Sequence, residues 1–197
     1  MVSPILTNHI ESLILNLAYA VWLIPEIVYS FTHPITANAR TNDRHSGTVL
    51  VACIWLGIFL AYGFARRETG FFIVWQPVVL FVVGILLMVT GVIFRWYAIR
   101  SLGKFFTLRI ATQPGQTVVE HGPYHWIRHP SYSGALITMF GLGLAFTNWL
   151  CLIGILVFGF IGYSYRVMIE EQTLISELGE PYREYMRRTK RFIPFVY

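Results

Sequence analysis

FFIVWQPVVLFVVGILLMVTGVIF, residues 71–94, runs for 24 positions without a charged side chain and is closed by Arg95. As a helix rising 1.5 Å per residue it would cover about 36 Å, enough to cross a bilayer core of about 30 Å. Thr48 to Ala65, closed by Arg66 and Arg67, gives a second span. Ser12 to Phe31 gives another, despite Asn16, Pro25 and Glu26. On the C-terminal side, Tyr132 to Tyr165 holds 34 residues without a charge, too long for one span and short for two. Thr147-Asn148 at its middle offers the polar turn of a helical hairpin. The pattern predicts an all-α, polytopic membrane protein with five transmembrane helices, formed as one integral-membrane domain over residues 1–197. Spans 1–3 fill residues 1–102, and residues 103–197 form a second half carrying the polar loop, the hairpin and C-terminal helices.

Composition agrees with this reading. Hydrophobic residues make up 55% of the 197-residue chain and charged residues 13%, against about 25% charged in a typical soluble domain. A soluble fold this short has no interior large enough for that apolar surface, so lipid must cover it. Five spans place thirteen of the 15 basic residues on one side, from Arg40 and Arg44 to the cluster Arg183–Arg191, and leave Arg66 and Arg67 on the other. By the positive-inside rule the long loop and C-terminal section are cytoplasmic and the N-terminus lies outside. The net charge of +5 does not point to nucleic acid, because no basic run is interleaved with a stacking platform of aromatics. Cys53 and Cys151 sit inside apolar runs and read as packing residues. The first apolar run lacks a basic leader and cleavage site, so it reads as a retained span.

Arg95 to Ser131 is a long polar stretch containing Gly103, Gly115, Gly122 and three prolines, and a segment of this kind is usually functional. His121, His125 and His129 recur every four residues, which on a helix would stack three imidazoles. Gly122-Pro123 and Pro130 interrupt any such helix, so no metal is expected. Gly122 to Tyr132 reads instead as a turn, an aromatic and basic segment, and a helix start that Ser131 can cap. Such a helix start can receive a carboxylate, and the same segment can equally be an interfacial anchor. Arg166 and Glu170 stand one helical turn apart, with Glu171 about 100° away. They are either an ordinary ion pair or polar groups with a task at the mouth of a membrane cavity. Beyond them, Gly179 can end one helix and Pro181 start the next. Glu26, an acid inside a span, is open to a functional or a structural role.

Two blocks carry a resemblance. Gly122-Pro123-Tyr124, Arg128-His129-Pro130-Ser131-Tyr132 and Gly134 resemble the signature of the isoprenylcysteine carboxyl methyltransferase family. Glu170-Glu171, Leu174, Gly179, Tyr182, Tyr185, Arg188 and Ile193-Pro194 are similar to its C-terminal block, and Gln113 with Gln116–Val119 to the stretch before the signature. The resemblance covers about half the chain, with its blocks in order. It implies S-adenosylmethionine as cofactor, leaving as S-adenosylhomocysteine, held by Gln113, Gln116, Thr117, Val118, Val119, Tyr124, His129, Pro130, Ser131 and Tyr132, with the helix carrying Glu171. Gln116 stands where the family often has histidine. Arg166 and Glu170 match the family's functional arginine and acid. The implied acceptor is a prenylated cysteine peptide or a similar small lipid, reached from the bilayer. Since eukaryotic relatives carry extra N-terminal spans, a five-span chain looks like a prokaryotic-type member in a cell membrane. No glycine-rich loop follows a strand, which excludes a Rossmann-type cofactor site. Three alternatives remain: a phospholipid amine N-methyltransferase, in which His129 or Glu171 would serve as base; a sterol-reductase-like enzyme using NADPH; and a non-catalytic lipid-binding protein.

Overall fold

The computed structural model describes residues 8–32, 40–41, 43–66 and 70–193. Six α-helices of eight residues or more lie among them: α1 (His9–Thr32), α2 (Ser46–Ala65), α3 (Pro77–Leu102), α4 (Pro130–Ala145), α5 (Trp149–Leu178) and α6 (Glu180–Arg188). Two short strands, β1 (Arg40–Thr41) and β2 (Ala111–Thr112), pair antiparallel with Arg40 opposite Thr112. The fold is all-α apart from this small ladder, and the Pro194 that closes the C-terminal block lies outside the described residues.

Among the described residues four helices, not five, are long and apolar enough to cross a membrane: His9–Tyr29, Ser46–Ala65, Pro77–Phe105 and Trp149–Leu178. The uncharged run does fold as a hairpin, but unequally. Pro130 fixes the first position of α4, which ends after 16 residues, about 24 Å and short of a full crossing. α5 takes the rest and continues for 30 residues. The expected placement of the two termini on opposite sides rested on the odd number of spans, so it falls with the fifth span. The chain remains a multi-pass membrane protein.

Local chemistry explains the ends. Asn148 caps α5, its side-chain oxygen accepting from Leu150 N–H at 2.9 Å and Cys151 N–H at 3.3 Å. The segment before α3 supports that turn: Ile73 N–H donates to the Thr147 carbonyl (2.9 Å) and Trp149 N–H to that of Phe71 (3.1 Å). Residues 71–76 are therefore not helical, and α3 starts at Pro77. Nor does it stop at Arg95: it runs on to Leu102 and ends at Gly103, whose φ of 58° suits glycine. Ser131 does not cap α4. His129 is the capping position, without a side-chain cap, and Ser131 lies inside the first turn. Gly179 (φ 65°) separates α5 from α6, and Pro181 sits in the first turn of α6.

α3 packs on α4 through facing small residues. A Cβ on Gly84 would lie 2.6 Å from the Gly141 carbonyl, and one on Gly134 2.7 Å from the Arg95 nitrogen. Close backbone approach of this kind is how helices associate where lipid removes the hydrophobic drive between them. α2 packs on α5, while α1, which touches α3, buries Leu15, Ala18 and Trp22 and leaves Leu13, Leu17, Val21 and Ile24 exposed.

Candidate active site

Arg166 is buried, at 3% exposure, about three-fifths of the way along α5. Its Nε donates to the Tyr132 hydroxyl at 2.9 Å, and that hydroxyl donates to Glu170 Oε2 at 2.8 Å. Arginine and acid are thus joined through Tyr132. The other arm of Arg166 donates from Nη2 to the Leu108 carbonyl, and from Nη1 at longer range to Ser46 Oγ (3.4 Å) and Asp43 Oδ1 (3.5 Å). Asp43 is itself held by Ser46 Oγ–H and Gly47 N–H at the start of α2.

Behind Tyr132, the His129 ring stacks on the Tyr132 ring at 5.6 Å between centroids. Its Nε2 lies 3.3 Å from Glu171 Oε1 and its Nδ1 3.8 Å from Glu170 Oε2. Glu171 also accepts from Arg128 Nε (2.9 Å) and from Arg191 Nη2 (2.8 Å). Arg128 continues to the Met186 and Thr189 carbonyls. Backbone bonds from Arg128 and His129 to the Lys190 and Arg191 carbonyls lay the segment after α6 along the loop. Ser133 Oγ–H donates to the Phe192 carbonyl at 2.7 Å.

Two clefts meet at Arg166. The first lies between the long loop and the C-terminal part of α5. Gln116, Thr117, Val118, Val119, Tyr124, His129, Ser131 and Tyr132 all line it, together with Arg166 and Glu170. Three other expected residues stand elsewhere. Gln113 forms an adjoining rim, its N–H donating to Gln116 Oε1 at 2.9 Å. Pro130 is buried at the first position of α4, and Glu171 is buried in the arginine cluster. Sequence reading missed Ile110–Thr112 and Thr173 in this cleft, which carry no distinguishing chemistry; Leu174 and Leu178 follow Glu170 at helical spacing, a signal that was there to use. Burial raises the phenols of Tyr124, Tyr182 and Tyr185 well above their ordinary range, with the Glu170 charge adding to the effect at Tyr124 and Tyr182. All three therefore stay protonated at neutral pH; the Tyr185 hydroxyl donates a hydrogen bond to the Tyr124 carbonyl at 2.7 Å.

The second cleft is apolar and lies between α1, α2 and α5, walled by Trp22, Leu23, Leu50, Ile54, Trp55 and Ile58. Arg166 and Tyr132 line both clefts. Its charged floor includes Glu26 and Arg95, paired through both carboxylate oxygens. His121 and His125 do not join His129, and the described residues contain no group of three His, Cys, Asp or Glu side chains that could hold a metal.

Residues 82–176 match the profile of the isoprenylcysteine carboxyl methyltransferase (ICMT) family. The protein-S-isoprenylcysteine O-methyltransferase of Xenopus laevis is 32% identical over 117 residues, covering 58% of this chain and 41% of that one. That of Tribolium castaneum is 29% identical over 116 residues, with coverage of 58% and 41%. Arabidopsis thaliana protein-S-isoprenylcysteine O-methyltransferase B is 33% identical over 115 residues, 57% of this chain and 58% of its own. The chain thus spans between about two fifths and three fifths of these relatives' lengths. A solved structure of the eukaryotic intramembrane Ras methyltransferase ICMT superposes with a TM-score of 0.56 at 24% identity, over 91% of this chain and 61% of that one, which is a likeness of fold. These relatives are eukaryotic, which corrects the expected prokaryotic-type membership and the prokaryotic cell membrane that went with it.

Proposed function

We propose that this protein transfers a methyl group from S-adenosylmethionine to the carboxylate of a lipidated, isoprenyl cysteine, giving a methyl ester, with residues 103–197 as its catalytic half. The observation that carries the proposal is the meeting of a polar, loop-lined cleft with an apolar cleft between helices at one buried pair, Arg166 and Tyr132. The polar cleft suits the cofactor. Gln116, Thr117 and Thr112 offer donors and acceptors for the ribose and amino-acid parts, Val118, Leu174 and Leu178 offer faces for an adenine, and Glu170 offers charge complementary to the cationic end. When bound, the cofactor supplies a sulfonium methyl whose transfer leaves a neutral thioether.

The chain's own residues handle the acceptor. An α-carboxyl ionises near pH 3.3–3.7 and needs no general base at neutral pH. It needs placement and the removal of water. Arg166 provides the placement, because its Nη1 contacts to Ser46 and Asp43 are long enough to be exchanged for a carboxylate oxygen. Tyr132 fixes the guanidinium plane through Nε and ties it to Glu170. The apolar cleft takes the prenyl chain and keeps water from the head. The family match and the named relatives support this reading. A phospholipid amine acceptor would require a base, and of the two candidates Glu171, although buried, is held well below the usual carboxylate range by its hydrogen bonds with His129 and Arg191, which makes it a poor one.

Radiolabelled methyl transfer to a short prenylcysteine, compared with phosphatidylethanolamine, tests the proposal. We expect label in a base-labile ester of the first and none in the second. Label in phosphatidylethanolamine alone would replace the carboxylate reading with the amine one.

A further inference from the structure

The apolar cleft has two buried arginines on its wall, Arg95 at 7% and Arg166 at 3% exposure, and their donors are very differently committed. Arg95 gives Nε and Nη2 to the two oxygens of Glu26, the latter at 2.9 Å, and Nη1 to the Ser131 carbonyl at 3.1 Å. Arg166 reaches its carboxylate, Asp43, only at 3.5 Å, the outer edge of a hydrogen bond. The two arginines are tethered to consecutive residues, Ser131 and Tyr132. An anionic head entering between α1 and α2 therefore meets two guanidinium groups, of which only Arg166 also faces the polar cleft.

We infer that Glu26 is a specificity-determining residue, a built-in carboxylate that fills the fork of Arg95 so that an incoming carboxylate is left to Arg166. The inference rests on the carboxyl-transfer reading above. Glu26 presents the same functional group as the proposed acceptor and makes the bidentate match that arginine offers a carboxylate. It continues the buried stripe of α1, following Leu15, Ala18 and Trp22 at helical spacing, so the helix delivers it to Arg95 without the aid of a ligand. Mere attachment of α1 to α3 would not need it: two charges within a membrane are costly, and apolar residues of similar size hold helices together at least as well. Pairing Arg95 internally removes a competing anion site while retaining its bond to Ser131, at the start of the helix that carries Tyr132.

The test is binding to the full chain in nanodiscs, followed by quenching of tryptophan fluorescence, since Trp22 and Trp55 line the cleft. The probes are N-acetyl-S-farnesylcysteine and its uncharged methyl ester. In Glu26→Gln the acid should bind roughly tenfold tighter, the scale of one charge-assisted hydrogen bond, and the ester should be unchanged. Turnover at saturating acceptor should fall, because part of the bound acid then sits on Arg95. The double variant Glu26→Gln/Arg95→Met should return the acid-to-ester ratio to that of the native chain. An unchanged ratio in Glu26→Gln, or a gain that persists in the double variant, would overturn the inference. Should Glu26→Gln not fold, Glu26→Asp keeps the charge but loses the bidentate reach; the ratio should shift in the same direction, and no shift would again overturn it. A native chain that transfers no methyl, while Glu26→Gln still moves the ratio, would instead remove the carboxyl-transfer reading and leave the anion filter standing.

Discussion

Arg166 donates to three different kinds of acceptor at once: a phenol, a backbone carbonyl, and the Ser46–Asp43 pair. A planar fork spreads its donors widely enough to reach all of them; an ammonium would keep the charge and lose that geometry. Arg166→Lys should therefore lose turnover nearly as severely as Arg166→Ala, by roughly a hundredfold, the scale of a deleted electrostatic stabiliser. S-adenosylhomocysteine affinity should hardly change in either variant. Steady-state kinetics beside calorimetric binding checks this, and normal turnover in Arg166→Ala at saturating acceptor would return the residue to a purely structural role. Glu171 invites a different expectation. It stands at 3% exposure and faces Arg128, Arg191 and His129. Its removal leaves the buried Arg128 guanidinium without its carboxylate, a loss of about 3–5 kcal/mol. Glu171→Ala should show first as a fall in thermal stability, measured without any substrate, and a variant as stable as the native chain would refute the clamp. The sequence placed Arg166 and Glu170 on one helix face correctly, but a single chain read alone cannot show that a tyrosine hydroxyl 34 positions upstream of the arginine lies between them.

At the scale of elements, the hairpin was legible because Thr147-Asn148 interrupts an otherwise uncharged run, and Asn148 does cap α5. The span boundaries were not. Arg95 reads as the end of a span only if charges must face water, whereas here its partner Glu26 lies 69 residues away on another helix. Short-range pattern cannot reveal that pairing. Likewise, nothing in Ile110-Ala111-Thr112 announces the ladder with Arg40–Thr41 that brings Ala111 and Thr112 to the polar cleft. Packing between α3 and α4 yields a sharper expectation. The Cβ of Gly134→Ala would press on the Arg95 nitrogen and the Gly91 carbonyl, backbone atoms with little freedom to move. Overpacking of this kind costs about 1–3 kcal/mol. It should also part Arg95 from Ser131, so stability and turnover should fall together. Gly154→Ala, where no other part of the fold comes within 4 Å of the new methyl, is the matched control and should retain both. Equal melting temperatures for the two variants would contradict the close-packed interface.

For the whole molecule, hydropathy along the chain was enough to establish a multi-pass protein, and the polar loop between α3 and α4 was recognisable as the seat of the polar cleft. The count of spans failed on the 16-residue α4, whose limits are set by Pro130 and by the turn that the segment before α3 holds in place. One further consequence follows from α5 being a single rod. Its 30 residues extend for about 45 Å, well beyond a hydrocarbon core of about 30 Å. Trp149 stands at one end, and Arg166 lies 17 residues along, about 26 Å away. Under the proposed carboxyl transfer the helix would act as a depth gauge: with its first turn at one surface of the bilayer, Arg166 would hold the acceptor carboxylate at a set altitude near the other, where the head of a membrane lipid resides. Thickness of the host bilayer should then tune the rate. In a series of phosphatidylcholine nanodiscs from 14 to about 22 carbons per chain, turnover should pass through a maximum, because a thicker core drowns Arg166 in hydrocarbon and a thinner one strands it above its acceptor. A rate indifferent to thickness would mean that the acceptor leaves the lipid plane to meet the enzyme, and not the enzyme that reaches the depth of the acceptor.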